Sequence, residues 1–448
     1  MERVIEVFLD LFWDPVHVHT NCRVVIGDVN GWILAFDRLI ISQYLNCRCG
    51  RFGENSTLYN EIEANDRLIL RIFNTLSGLK DMARPRDGIL KMLICGPTVY
   101  DFSHLGHARI LLFYDLVARY LMSNGMRIIG VLNITDIDPK ISSRAKEERS
   151  SAADISNRFI NELLSDIRSL GINTLSIAKT SDYIETSKKI VLEILSKKRG
   201  YFANGNIYLD TSSIDSYGKL SRLSRQDLVN RRVDIAPGKK TPSDILLWNG
   251  SDDFGQKYYD SSLGEGIPWW HMQDSSVAMS IFNGIYDIHG GATELVYPHH
   301  ESILAQLQTL TSVQKPVQIW NHVGLVNING KKMSKSLGNI IRIRDLLKKY
   351  GSNIIRLYLF SKHYRQPLVF SQSELDKFYS TDETIASALW QNVDTKNLCR
   401  TRITNEFTSY IENDVNTSAA LELMIETARK REYIADLRYM VRIFGLVY

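Results

Sequence analysis

Apolar residues gather along this chain into short unbroken blocks and into longer stretches where they recur every three or four positions. Residues 90–95 (LKMLIC) form one such block, closed by Gly96-Pro97 and a polar turn, which predicts a buried strand. From His104 to Met122 a long, mostly apolar stretch predicts a buried helix, with Ser103 placed to cap it and Gly125 beyond its end. Residues 126–135 (MRIIGVLNIT) predict a second strand. Strand, helix and strand in that order make the unit of a dinucleotide-binding fold. Further on, 152–170 and 182–198 carry helical apolar spacing, and 206–210 (NIYLD) read as a short strand. The stretch 217–268, rich in Gly, Asp and Pro, is expected to be mostly loop with short strands. Strands return near 286–289 and 318–326, and from about Asn353 the pattern is helical. The whole predicts an α/β protein with a parallel, Rossmann-like nucleotide-binding sheet followed by a helical bundle.

Composition narrows the class without changing it. With 448 residues, 44% hydrophobic and 23% charged, the chain has room for two or three ordinary domains. Its apolar runs are far short of a membrane span, so no membrane partner is expected. Glu2, Glu6 and Asp10 make the N-terminus unlike a secretory signal. Five scattered cysteines, an odd number, point to a reducing cytoplasm without a disulfide framework. The net charge of +4 hides an asymmetry: residues 1–67 carry 6 Lys/Arg against 10 Asp/Glu, leaving 48 against 40 for the rest. Basic residues cluster at 222–240 and 429–442, as a nucleic-acid partner favours.

Two motifs carry chemistry. Lys332-Met-Ser-Lys-Ser336, in a short glycine-flanked segment, offers two compact cations with hydroxyl and backbone N–H groups beside them, which suits a polyphosphate. Far upstream, His104-Leu-Gly-His107 opens the predicted helix, where the dipole and free N–H groups favour phosphate and Gly106 leaves room for a flat base or ribose. The two histidines, three apart, share one face of the first turn.

Together these motifs resemble the signature pair of class I aminoacyl-tRNA synthetases. The segments Phe73-Asn-Thr-Leu76, Cys95-Gly-Pro-Thr-Val-Tyr-Asp101, Asn133-Ile-Thr-Asp-Ile-Asp138, Asp287-Ile-His-Gly-Gly291 and Tyr297-Pro-His-His-Glu301 are similar to those of the cysteinyl-tRNA synthetase family, in its order and approximate spacing. The resemblance runs from about Leu70 to the C-terminus. It implies a catalytic domain over 68–352, split by a connective insertion at about 185–262, and a shortened helical anticodon-side bundle over 353–448. The turn at Asn413-Asp-Val-Asn-Thr417 resembles the start of that bundle, and the small mixed domain that follows it in many members is expected to be missing. Residues 1–67 do not resemble the family. They read as an appendage or as upstream sequence from a mistaken start, with a hairpin over 24–36 turning at Asn30-Gly31 and Cys22, Cys47 and Cys49 as a weak metal-ligand set.

The resemblance also implies a reaction and a site. L-cysteine would attack ATP, with Mg²⁺ bound to the nucleotide, and the cysteinyl group would pass to tRNA(Cys); the enzyme would be a monomer or homodimer. His104 and His107 would bind the phosphates from one side, and Lys332 and Lys335 would close over them from the other. Gly106, His289, Gly290 and Gly291 would form the adenosine pocket, with Asp287 on the ribose. Trp270 would wall the cysteine pocket and Thr135 would touch the substrate.

Family members select cysteine with a zinc ion held by two Cys, a His and a Glu. Here the first Cys matches Cys95 and the His matches His299, but the second Cys position is Asp274 and the Glu position is Ile303. Cys95, Asp274 and His299 would still give three ligands and an open position, the pattern of a catalytic zinc. Glu301, two residues round from Ile303, is expected to point away. Trp269 and Asn249 are further departures, from Gly and Lys. Three readings follow: a cysteine–tRNA ligase, a ligase joining cysteine to a small amine as in the mycothiol pathway, and a degenerate RNA-binding paralogue. The lost Glu ligand and the shortened C-terminus favour the second, against which the Phe73–Leu76 opening, the Asn413–Thr417 turn and the basic tail fit tRNA; the intact phosphate motifs oppose the third.

Overall fold

The computed structural model describes residues 70–231, 237–250, 257–328, 330–333, 338–390 and 401–448, without the side chains of 225, 229 and 332. The hairpin expected over 24–36, the three early cysteines and Lys335 lie outside the described residues. Five strands make the central sheet: β1 (Ile89–Thr98), β2 (Arg127–Thr135), β3 (Ser176–Lys179), β4 (Tyr286–Ala292) and β5 (Val317–Val323). Their order is β5-β4-β1-β2-β3, and every pair is parallel. The chain therefore winds outward in one direction from β1, then in the other. That leaves a switch point between β1 and β4, where ligands bind beyond the strand ends.

The expected first strand and helix are both present, with the helix at Leu105–Ser123. Its N-cap is His104, not Ser103: the His104 imidazole accepts from Gly106 N at 3.2 Å, and His107 Nδ1 accepts from His104 N at 3.3 Å. An imidazole nitrogen thus does the work usually given to a hydroxyl. Between β3 and β4 the chain leaves the sheet. The helix Ile184–Ser196 leads to a second, antiparallel sheet of Gly200–Ala203, Asn206–Leu209, Ile245–Asn249, Gly264–Pro268 and Tyr258–Asp260. The stretch expected to be mostly loop supplies three of those five strands. Trp270–Phe282 then returns the chain to β4.

The helix Ile343–Phe360 starts well before Asn353 and bends at Gly351, whose φ is +74°. After it come the short strand Leu368–Phe370 and the helices Gln372–Asp376, Phe378–Leu389, Arg402–Glu412, Thr417–Lys430 and Ile434–Phe444. Two buried polar groups tie this region to the sheet domain. Arg356 bonds Asp115 at 2.9 Å, Leu170 O at 2.9 Å and Phe444 O at 3.0 Å. Asp414 accepts from Phe73 N at 2.8 Å and Tyr364 OH at 2.7 Å. No helix among the described residues is long and apolar enough to cross a membrane.

Candidate active site

A cavity of about 810 Å³ lies at the switch point and joins the two ends of the expected site. Its walls include His104, His107 and Met333 at one end, Thr135 along its length, and Cys95, Trp270, Asp274 and His299 at the other. A larger cavity, about 1200 Å³, is lined by Lys197, Lys219, Arg222 and Lys315 among others, and contains none of the expected residues. The chemistry places the site in the smaller one.

At the phosphate end the two histidines stack, with ring centroids 3.7 Å apart and planes within 18°. Burial, and then the neighbouring His104, push the His107 imidazole well below the usual histidine range. A Cβ on Gly106 would stand 3.0 Å from His104 Cε1 and 3.5 Å from Met333 Cε, so glycine keeps this surface open. The segment following the lysine loop is fixed to the helix start. Leu105 N donates to Ile341 O at 2.9 Å and Ile343 N to Ser103 O at 3.1 Å, around a bridge between His104 and Arg342. Lys331–Lys332 pairs with Val326–Ile328, and buried Met333 packs into the main core. The loop is thus anchored on both sides of its serines and second lysine.

The expected residues of β4 do not line the cavity, though its last residue, Ala292, does. Asp287 accepts from Lys91 N at 2.8 Å, has Arg86 at 3.9 Å, and does not line the cavity. A Cβ on Gly290 would fall 2.2 Å from Tyr114 Cζ, and one on Gly291 would fall 2.9 Å from His300 Cε1. These glycines make room for protein side chains. Glu294, just beyond the strand, is a carboxylate that does line the cavity, and sequence reasoning missed it.

His289 belongs to the thiol end. Cys95 Sγ is surrounded by Asp274 Oδ1 at 3.1 Å, His300 Nε2 at 3.2 Å, His289 Nε2 at 3.3 Å and His299 Nε2 at 3.6 Å. Asp274 Oδ2 lies 3.2 Å from His299 Nε2. Each imidazole is held from behind: His299 by His271 at 2.8 Å, His300 by His322 at 2.8 Å, and His289 by Tyr286 OH at 2.6 Å. His322 in turn meets Thr75 Oγ1 at 2.7 Å. Trp270 stacks flat on His299, centroids 4.2 Å apart and planes within 1°. All these histidines are buried. Burial pushes His322 down to about 3, and burial, only partly offset by Asp274, does the same to His289. Burial pushes the Cys95 thiol well up, and Asp274 adds to it. The Asp274 carboxyl stays below its usual range: burial alone would raise it, but His299 and Cys95 outweigh that.

The donor set fits zinc. A thiol, imidazoles and one carboxylate converge at one end of the cavity, and the outer nitrogens are all engaged, as metal-binding histidines require. The donor atoms of Cys95, His299 and His300 lie within 4.8 Å of one another. Ile303 is fully buried among apolar side chains, and Glu301 turns away to accept from Gly218 N at 2.8 Å and Ser221 N at 2.7 Å. His300, His271 and His322 were not singled out from the sequence. The adjacent pair His299-His300 was the one signal available, because the other two come from separate elements.

The family described as "tRNA synthetases class I (C) catalytic domain" matches residues 82–380. A cysteine–tRNA ligase of Thermococcus onnurineus is 34% identical over 380 residues, covering 81% of this chain and 79% of that protein. One of Coxiella burnetii is 36% identical over 372 residues, covering 82% and 81%. Among solved structures, a methionyl-tRNA synthetase of Mycobacterium tuberculosis superposes with a TM-score of 0.59 at 13% identity, over 80% of this chain and 88% of that one. A leucyl-tRNA synthetase of Agrobacterium radiobacter does so with a TM-score of 0.58 at 11% identity, over 79% and 82%, which again speaks for the fold alone. With the sheet order, the stacked histidine motif and the relatives in agreement, the chain belongs to the cysteinyl-tRNA synthetase family of class I tRNA synthetases.

Proposed function

We propose that this chain activates L-cysteine with ATP and transfers it to tRNA(Cys), as a cysteine–tRNA ligase. The observation that carries the reading is the single cavity with a histidine-lined helix start at one end and a buried thiol–imidazole cluster at the other. The cysteine carboxylate attacks the α-phosphate, pyrophosphate leaves, and the 3′-terminal ribose hydroxyl of the tRNA then takes the cysteinyl group from the adenylate. No side chain becomes covalent, so the protein's part is positioning and charge stabilisation. His104, His107 and the helix N-terminus hold the phosphates from one side, Lys332 and Lys335 from the other, with Mg²⁺ on the nucleotide. Gly106 lets the nucleotide approach, and Glu294 is placed to accept from the ribose hydroxyls. Thr135 and Trp270 flank the amino acid. Zinc held by Cys95, Asp274 and His299 would supply a soft site that a thiolate fills well and the hydroxyl of serine fills poorly.

The catalytic domain in this reading spans 68–352, with the insertion at about 185–262, and the bundle from 353 onward faces the anticodon side of the tRNA. The enzyme works in the cytoplasm, as a monomer or homodimer. The amine-joining ligase and the degenerate paralogue are not favoured by relatives that are cysteine–tRNA ligases over four-fifths of this chain. The test is ATP–pyrophosphate exchange with cysteine and serine compared, followed by charging of a tRNA(Cys) transcript. Cysteine-dependent exchange and charging are expected. Exchange no greater than that of Lys335→Ala removes the enzyme reading, and exchange without charging returns the amine-joining one.

A further inference from the structure

We propose that His300 is a fourth protein ligand of the metal, standing in for the carboxylate that Ile303 replaces and leaving the substrate thiolate to enter as a fifth. The inference rests on the zinc reading above and assigns a residue that the three-ligand set leaves out.

Geometry argues first. A tetrahedral zinc with ordinary bond lengths sets its sulfur and nitrogen ligands ~3.6 Å apart. His299 Nε2 lies at 3.6 Å from Cys95 Sγ and His300 Nε2 at 3.2 Å. Consecutive residues on a regular α-helix diverge by ~100°. Here the wide turn Val296–His300 precedes the helix Glu301–Thr311, and both imidazoles reach the same sulfur.

Proton placement argues second. A ligating Nε2 must be bare, so the proton of His300 must sit on Nδ1, which faces His322 Nε2 at 2.8 Å. His322 then carries its proton on Nδ1, which faces the Thr75 hydroxyl at 2.7 Å. Every member of that chain is satisfied with His300 Nε2 unprotonated. His289 is the rival, at 3.3 Å from the sulfur. Its Nδ1 also meets a hydroxyl, that of Tyr286, so the distinction is geometric: the donor atoms within 4.8 Å of one another are those of Cys95, His299 and His300. Charge argues third. The Cys95 thiolate and the Asp274 carboxylate already neutralise a divalent ion, and all four side chains are buried at the cavity wall or behind it. A neutral imidazole adds a ligand without adding charge.

The full chain is purified, its zinc content measured, and its affinity set by competition with a chromophoric chelator. Zinc at one per chain in the wild type is expected, lost in Cys95→Ala, weakened at least 10-fold in His300→Ala, and unchanged in His289→Gln. Cobalt substitution of His300→Cys gives a readout that folding defects do not imitate: a second thiolate on the metal roughly doubles the sulfur-to-cobalt absorption. Wild-type zinc affinity in His300→Ala, or cobalt absorption in His300→Cys no greater than wild type, overturns the assignment of His300 while leaving Cys95-dependent zinc in place. A wild-type protein that binds no zinc overturns the zinc reading itself, and this proposal with it.

Discussion

The two ends of the cavity are built in different ways. The phosphate end is made of two short contiguous pieces, four residues at a helix start and a loop far downstream, and the segment after the loop is joined to the helix start by backbone bonds of 2.9 and 3.1 Å. Its chemistry is that of N–H groups and lysines, which a short motif supplies complete. The thiol end draws Cys95 from β1, His289 from β4, His322 from β5, and Asp274, His299 and His300 from the chain around two helices. A contiguous motif stands or falls as a unit, whereas an assembled cluster tolerates exchange of one member if a neighbour can take over.

The sharpest test of the contrast is loss of one group at each end. Lys335→Ala is expected to lower the rate of cysteine-dependent pyrophosphate exchange by ~10²–10³-fold with cysteine binding little changed, as for removal of one donor to a developing charge. Cys95→Ser should do the reverse. Exchange with serine should persist while the preference for cysteine falls by ~10²-fold, because an alcohol is a poor partner for zinc. Steady-state exchange with each amino acid gives both numbers. If Cys95→Ser keeps its preference, the thiol end does not select the substrate.

How far the sequence shows these ends follows from their construction. HLGH and KMSKS can be read from the string because each is local, and β1, β2 and the first helix are legible because each is a long apolar run. The edge strand β3 was missed because three of its four residues, Ser176, Ile177 and Lys179, are exposed or half-exposed, leaving no apolar pattern. His271 and His322 could not be found, since each comes from a separate element and reaches the cluster only through another imidazole, that of His299 or His300. Asp287 and His289 were placed beside the nucleotide because they belong to one recognisable segment. Two apart on the strand, they stand at different points along β1, so Asp287 meets Lys91 N near its start and His289 meets Cys95 nearer its end. Proximity in a motif is not proximity in a site.

Gly290 tests the same point in energy. Its expected role is contact with adenosine, but a methyl group there would lie 2.2 Å from Tyr114 Cζ and 2.4 Å from its oxygen. Gly290→Ala should therefore destabilise the protein by about 1–3 kcal/mol, as overpacking of a filled core does. Tyr114→Leu in the same chain should recover part of that loss. A full-stability Gly290→Ala variant with weakened ATP binding would restore the nucleotide role and blur the division between the ends.

Acid should strike the thiol end hardest, where burial lowers His289, His300 and His322 against His107 at the phosphate end. His289 and His322 are held down to about 3, whereas an unfolded histidine titrates near 6.5. Between those values the unfolded chain binds protons that the folded chain refuses, so stability rises with pH and is lost as pH falls below about 6.5. Each histidine contributes a slope of about 1.4 kcal/mol per pH unit in that window. Urea midpoints at pH 7.5, 6 and 5 measure it, on apoprotein so that metal release does not intervene. His322→Gln should flatten the slope by one histidine's share; an unchanged slope would mean that His322 titrates normally in the fold.

The smallest effect concerns the polar path that leaves the thiol end and reaches the bundle. Tyr114 OH accepts from Gly291 N at 3.1 Å and donates to Asn321, whose amide donates to Tyr364 OH at 3.0 Å. Tyr364 OH donates to Asp414 at 2.7 Å, and Asp414 also holds Arg365 at 2.6 Å. Tyr364→Phe removes one hydroxyl from the middle of this path and leaves the ring stack on Phe113 intact. Asp414 keeps Phe73 N and Arg365, so only the Asn321 amide loses a partner, and a cost of about 1–2 kcal/mol is expected. Because the path ends on Asp414, in the turn between the bundle helices Arg402–Glu412 and Thr417–Lys430, the change should raise the KM for tRNA in charging more than the KM for ATP in exchange. Equal changes in both would make the path a strut of the sheet domain alone, and the bundle would then be joined to the active site chiefly through Arg356.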